Sequence, residues 1–259
     1  MTGREPEDDS ATARALAANA EAALRTASYY DRLWTELDDV PDEDDRIRLD
    51  FLVFALKRIA LPRRPAILDL GCGSGWMAPT LSRWGTVTGV DFSPLAIRRA
   101  RERHGSHATF LEAVPESRTL GVPGNFDVVV CSDVIEHVPE PRALLRQAAG
   151  FLVSGGWCLL STPNGNVWPE YRKRFEGRMQ PIENWLTPAR LAQLVTEPGL
   201  VIHLHEGRAT PALRLGGSPL LQHPAVGRAL SAVGLARWHG RLVLPAALYQ
   251  VVIARKAPV

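Results

Sequence analysis

The chain has 259 residues, 46% of them hydrophobic and 22% charged, with a formal net charge of +2. That length suits one α/β domain with an elaboration, or at most two small domains, and the composition allows a sizeable core. The near-neutral balance argues against a general nucleic-acid binder, no basic start leads into an apolar stretch as in a signal peptide, and no apolar run reaches the ~18 residues of a membrane span.

Residues 1–28 begin polar and acidic and turn alanine-rich from Ala11 to Ala27, where helix propensity is high. An aromatic cluster, Ser28-Tyr29-Tyr30-Asp31-Arg32-Leu33-Trp34, precedes an acidic patch from Glu36 to Asp45, read as a solvated loop. Ile47, Phe51, Phe54, Ala55 and Ile59 then keep a helical period up to Pro62. From Ala66 short apolar runs alternate with helical segments, the pattern of a parallel sheet with crossover helices. Strands are predicted near 66–70, 86–90, 108–111, 126–131 and 156–161, with helices over 75–84, 93–104 and 141–153. The segment 163–186 mixes Trp168, Tyr171, Phe175 and Trp185 with Arg172, Lys173, Arg174 and Arg178, and loops that long are usually functional or disordered. Thr187-Pro188 has the form of an N-cap with proline at the first helical position. Val201 to His205 and Leu248 to Ala254 read as two further strands.

Between those strands the charge changes character. From Gly207 onward there is no acid but seven of the 30 basic residues, so the rest of the chain carries 23 bases against 28 acids. This basic piece reads either as a solvated helix pair covering the sheet or as a lid that makes peripheral contact with anionic membrane. The expected organisation is a helical cap over 1–62, a nucleotide-binding core over 63–206, the basic helical insert over 207–247, and a last strand and tail over 248–259.

Chemistry concentrates at Asp69-Leu70-Gly71-Cys72-Gly73-Ser74-Gly75, where an apolar strand breaks into three alternate glycines. Glycine serves where backbone takes φ > 0 or lets a ligand approach without a Cβ in the way. The spacing is GxGxG, not the GxGxxG of the dinucleotide fingerprint, which disfavours a nicotinamide-dependent oxidoreductase. Asp91 follows twenty residues after Gly71, at the end of the second strand. A carboxylate there can accept both hydroxyls of a ribose, which implies an adenosine-type ligand at the switch point of a doubly wound sheet.

These two stretches resemble the first two motifs of class I S-adenosylmethionine-dependent methyltransferases. Phe126-Asp127-Val128-Val129-Val130-Cys131-Ser132-Asp133-Val134-Ile135-Glu136-His137-Val138 is similar to the fourth-strand motif of that family, and Gly155-Gly156-Trp157-Cys158-Leu159-Leu160-Ser161-Thr162-Pro163-Asn164 to the fifth. The nearest branch is that of ubiquinone-biosynthesis O-methyltransferases and similar small-molecule enzymes. The resemblance implies a doubly wound, mostly parallel seven-stranded α/β sheet, with S-adenosylmethionine as cofactor and a small molecule as acceptor. It sets Asp69, Gly71, Cys72, Gly73 and Gly75 beneath the methionine end of the cofactor, Asp91 on the ribose, and Phe92 on an adenine face. Ser132 and Asp133 would approach the methionine ammonium, and Tyr30 would close over the cofactor. The family usually carries an acid after the third strand that meets the adenine amino group; here Glu112 alone offers itself, at a different spacing.

Methyl transfer from a sulfonium is an in-line displacement, so the enzyme mainly aligns donor and acceptor and excludes water. A base is needed only where the acceptor loses a proton, and His137 is the candidate that titrates near neutrality. O-methylation of a phenolic or lipophilic metabolite is the expected reaction, with N-methylation of an amine or aminosugar, or a non-catalytic S-adenosylmethionine-binding role, as alternatives. His203 and His205 alternate on a predicted strand and should share a face, but two histidines without a third ligand make a poor metal site. The cysteines Cys72, Cys131 and Cys158 read as small buried residues of a reducing compartment, so a cytoplasmic location is expected.

Overall fold

The computed structural model describes residues 29–33, 35, 43–112, 124–173, 180–208 and 244–258. The alanine-rich segment, Trp34, Phe175 and almost all of the basic insert lie outside them, and so do the expectations attached to those stretches.

Helix α1 (Glu43–Leu56) leads into β1 (Ala66–Leu70), α2 (Ala78–Leu81), β2 (Thr86–Asp91), α3 (Pro94–His104) and β3 (Thr109–Glu112). The second half comprises β4 (Phe126–Ser132), a 3-10 turn (Ile135–His137), α4 (Pro141–Phe151), β5 (Leu152–Pro163) and α5 (Trp168–Arg172). It closes with α6 (Pro188–Thr196), β6 (Leu200–Arg208) and β7 (Tyr249–Lys256). These strands form one seven-stranded sheet in the order β3-β2-β1-β4-β5-β7-β6. The first five are parallel, and β7 runs antiparallel to both β5 and β6. Among the described residues no helix is long and apolar enough to cross a membrane.

Strands covered on both faces are apolar at successive positions, not at alternate ones. Along β4, Val128 and Val130 pack into one cluster with Ile67, Leu159 and α1 residues Phe51, Leu52 and Leu56. Val129 and Cys131 point the other way, to Leu68, Leu160 and the buried faces of α4 and α6. Two helical layers therefore enclose the sheet, and the strand ends near residues 71, 91 and 132 open on the same edge.

The helix starts follow the sequence signals. Ser93 Oγ accepts the Ala96 N–H at 3.1 Å ahead of Pro94, and Thr187 Oγ1 accepts that of Arg190 at 3.3 Å ahead of Pro188. Both side chains satisfy a donor that a helix N-terminus leaves unpaired. The helix expected over 75–84 is shorter. Its flanks make tight turns, with Ala78 N–H on the Gly75 carbonyl and Trp84 N–H on that of Leu81. Pro79, within the only helical turn, has no N–H to give.

The expected common face of His203 and His205 is corrected. The β6–β7 register shifts between Ile202 and Leu204, and this bulge breaks the alternation. The His203 ring sits edge-on to Trp157 at 5.0 Å, while His205 Nε2 meets Gln250 Oε1 at 3.1 Å, on the side where Gln250 Nε2 donates to the Leu186 carbonyl. The two imidazoles thus lie on opposite faces.

Candidate cofactor and acceptor site

The glycine turn is anchored on the end of β2. The N–H groups of Gly71 and Cys72 both donate to the Val90 carbonyl, at 2.8 and 3.0 Å. Gly71 has φ +78°, and a Cβ there would come within 2.3 Å of Val134 Cγ2. Gly75 also has φ +78°, and its Cβ would lie 2.7 Å from Phe110 Cζ. Glycine is required at both positions for backbone conformation and for space together.

Asp91, 8% exposed, turns its carboxylate back onto this turn. Oδ2 accepts the Gly73 N–H and Oδ1 that of Ser93, both at 2.9 Å. Each oxygen retains a further lone pair for a ligand hydroxyl. Burial raises its pKa, against the opposing pull of the amides of Ser93, Gly73 and Phe92. Asp69, one strand away and 3% exposed, is pushed up to about 7 by burial and then by the charge of Asp91. The Cys72 thiol is pushed well above its ordinary value, by burial first and the same two acids next, so it is no nucleophile.

The end of β4 forms the other wall. Asp133 has φ +52°, a conformation aspartate tolerates better than most residues. Its N–H donates to the Ser161 carbonyl at 2.9 Å, its Oδ1 accepts the Ser161 hydroxyl at 3.3 Å, and Ser132 Oγ lies 2.7 Å from Ser161 Oγ. Arg48 of α1 reaches across to Asp133 and also pairs with Asp45. Burial alone would lower the Arg48 pKa, but those two carboxylates outweigh it and hold the guanidinium charged. Its Nε is buried with no hydrogen-bond partner.

Tyr30, in the helical turn 29–33, bridges the two walls. Its ring is edge-on to Phe92 at 5.2 Å and lies 6.4 Å from the His137 ring, while its hydroxyl donates to Gln180 Oε1 at 2.6 Å. His137 Nδ1 is 3.1 Å from the Ile182 carbonyl. A carbonyl only accepts, so the proton sits on Nδ1 and Nε2 keeps its lone pair. Burial lowers the pKa of this imidazole, opposed by the Ile182 carbonyl and the carboxylates of Asp133 and Glu183. Beside it Glu136, 1% exposed, accepts the Thr162 hydroxyl on Oε2 at 2.8 Å, and Oε1 lies 3.8 Å from His137 Nε2. Burial and the Asp133 charge raise the Glu136 pKa well above the usual range.

The fold thus gathers Tyr30, Asp69, the glycine turn, Asp91, Phe92, Ser132, Asp133 and His137 at one sheet edge. Glu112 is set opposite Asp91 in the β2–β3 register but is exposed at the rim. Sequence reasoning missed Arg48, Glu136, Gln180 and Glu183. Arg48 could have been flagged by its i, i+3 spacing from Asp45, although such pairs are common on solvated helices. Among the described residues no cluster of three His, Cys, Asp or Glu side chains could hold a metal ion.

A left-handed glycine turn facing a buried acid on the next strand defines a nucleoside-binding α/β protein. A family model described as a methyltransferase domain matches residues 43–205. The ubiquinone biosynthesis O-methyltransferase of Thiobacillus denitrificans is 33% identical over 147 residues, 52% of this chain and 63% of that relative, so the chain spans less than two thirds of the relative's length. In fold, the chain resembles the magnesium protoporphyrin IX methyltransferase of Synechocystis, solved with S-adenosylhomocysteine bound, at a TM-score of 0.58 and 16% identity over 88% of this chain and 93% of that one. It resembles the cyclase SpnF at a TM-score of 0.57 and 20% identity over 86% of each chain. The chain belongs to the methyltransferase-domain family, among the class I enzymes whose cofactor is S-adenosylmethionine.

Proposed function

We propose that the protein transfers a methyl group from S-adenosylmethionine to the oxygen of a phenolic or lipophilic small molecule. The observation that carries the reading is Asp91, locked by the amides of Gly73 and Ser93 at the strand ends beside a left-handed glycine turn. The cofactor supplies an electrophilic methyl on a cationic sulfur. In this reading Asp91 receives the ribose hydroxyls, Phe92 offers a face to the adenine, and Glu112 stands at the adenine rim. Asp69, Gly71, Cys72, Gly73 and Gly75 underlie the methionine end, with Ser132 and Asp133 toward its ammonium. Arg48, paired with Asp133 and Asp45, steadies that wall. Tyr30 covers the cofactor, and its tie to Gln180 helps exclude water.

His137 is assigned as the base that takes the proton of a hydroxyl acceptor, through Nε2. Its bond to the Ile182 carbonyl supports this by fixing the tautomer. Aromatic rings support a planar or apolar acceptor: Trp168 stands 5.4 Å from both Tyr171 and Tyr249. The sequence alternatives, an amine acceptor or a non-catalytic S-adenosylmethionine-binding role, bear on the same pocket.

The test is incubation with methyl-labelled S-adenosylmethionine and a panel of phenols, amines and a metabolite extract, followed by identification of what gains the label. Label on a hydroxyl oxygen is expected. His137→Gln should lower that rate by about 10²-fold or more while cofactor affinity, measured by calorimetry, holds within about twofold. Full rate in His137→Gln removes it as base, and calorimetry that finds NAD binding without S-adenosylmethionine binding overturns the whole reading.

A further inference from the structure

The ring of His137 makes one hydrogen bond among the described residues, and its partner, the Ile182 carbonyl, lies 45 positions away in the chain. Whatever holds residue 182 therefore decides which ring nitrogen carries the proton. Residues 180–186 form a strap along the 3-10 turn Ile135–His137, and Asn184 ties the two together. Its N–H donates to the Glu136 carbonyl and its Nδ2 to the Val138 carbonyl, both at 2.7 Å. Those carbonyls belong to the residues immediately before and after His137. The end of a helical turn leaves carbonyls without intrahelical partners, and Asn184 satisfies both with one residue.

The remaining ties act at the two ends of the strap. Gln180 accepts the Tyr30 hydroxyl on its side chain and donates its N–H to Glu183 Oε1, which also meets Arg172 Nη2. The Leu186 carbonyl accepts Gln250 Nε2 at 2.6 Å and the Gly165 N–H at 2.9 Å. Pro181 has no N–H to contribute. Between those ends, and apart from the Ile182 carbonyl itself, Asn184 alone among the described residues fastens the strap to the turn. Tyr30, Asp133, Glu136, Arg172 and Glu183 are the titratable and charged groups around the imidazole, and none of them hydrogen-bonds to it. The tautomer is left to Ile182.

We propose that Asn184 is the positioning residue of His137: by gripping the turn on either side of the ring it holds the Ile182 carbonyl against Nδ1 and leaves Nε2 free to accept a proton. This rests on the reading of His137 as the base and adds the residue through which that base is set. A ring freed from Ile182 distributes its proton over both nitrogens, and a molecule with the proton on Nε2 has no base to offer.

The experiment reads the tautomer directly, on the full chain with isotope-labelled histidine at pH 8, where the lowered pKa of His137 keeps the ring neutral. Long-range proton–nitrogen correlation spectra separate a protonated from an unprotonated ring nitrogen, and the signals lost in His137→Gln identify the ring. The parent should show Nδ1 protonated and Nε2 unprotonated. In Asn184→Ala the two nitrogen shifts should move toward each other. Thr187→Ala, which removes the cap of α6, is the control for lost stability: it should lower the thermal midpoint and leave both shifts in place. On a hydroxyl acceptor, Asn184→Ala should lower kcat by about tenfold or more while affinity for S-adenosylhomocysteine holds within about twofold. The proposal is overturned if the parent carries the proton on Nε2, if Asn184→Ala leaves the shifts or kcat unchanged, or if Thr187→Ala moves the shifts as far. Should His137→Gln keep the full rate although Asn184→Ala moves the shifts, it is the base reading that fails, and the proposal falls with it.

Discussion

Asp69 sits where β1 ends, enclosed by the strand and the glycine turn, and its carboxyl is held near pH 7. Its folded pKa lies above the ordinary value near 4. Between about pH 4 and pH 7 the folded chain keeps a proton that the unfolded chain has released, so this group's contribution to stability is full at the acid end and is lost as pH rises through that window. The thermal midpoint should therefore fall from pH 5 to pH 8 more steeply in the parent than in Asp69→Asn. A bound sulfonium favours the ionised acid, so affinity for S-adenosylmethionine should rise over the same interval, and Asp69→Asn should flatten that rise too. Equal pH slopes in parent and variant would show that Asp69 does not titrate there.

The glycine turn behaves as an element with two separate constraints. Gly71 needs φ +78° and also yields to Val134, the residue after the strained Asp133. Gly71→Ala should cost more than about 2 kcal/mol in chemical denaturation, combining a clash with left-handed strain of ~1–2 kcal/mol. Adding Val134→Ala should recover the clash and leave the strain; no recovery would mean that the contact with Val134 does not matter. At this scale much was legible beforehand. Buried parallel strands are unbroken apolar runs, so Ala66–Leu70 and Val128–Cys131 stand out, and Gly71, Gly73, Gly75 and Asp91 carry their spacing openly. Thr187-Pro188 marked a helix start for the same local reason. Less was legible where partners are distant in the chain. Arg48 meets Asp133 85 residues on, Tyr30 meets Gln180 150 residues on, and nothing local distinguishes Glu183 from a solvated loop acid. The β6 bulge was equally hidden, because it arises from pairing with β7 and not from the His-Leu-His pattern itself.

Across the whole molecule the two halves of the sheet divide the labour. The parallel strands β1, β2 and β4 carry Asp69, Asp91 and Ser132 near their ends, and β5 and β7 supply Ser161, Thr162 and Tyr249. β7 is the centrepiece of that second half: Val251, Val252, Ile253 and Ala254 are all buried, and Lys256 Nζ donates to the Ala149 and Leu152 carbonyls at 2.8 and 2.7 Å. A chain stopped after residue 247 should lose its cooperative thermal transition and bind apolar dyes; an unchanged transition would show β7 to be dispensable. This strand follows β5 and β6 in the chain yet lies between them. On the ribosome, then, β1 to β5 can pair in the order they emerge, while β6 has no neighbour to join until β7 is released. The β1–β5 part of the sheet can form during synthesis, the β6–β7 part only afterwards, and in that interval two unpaired strand edges stand exposed to aggregation or to a chaperone.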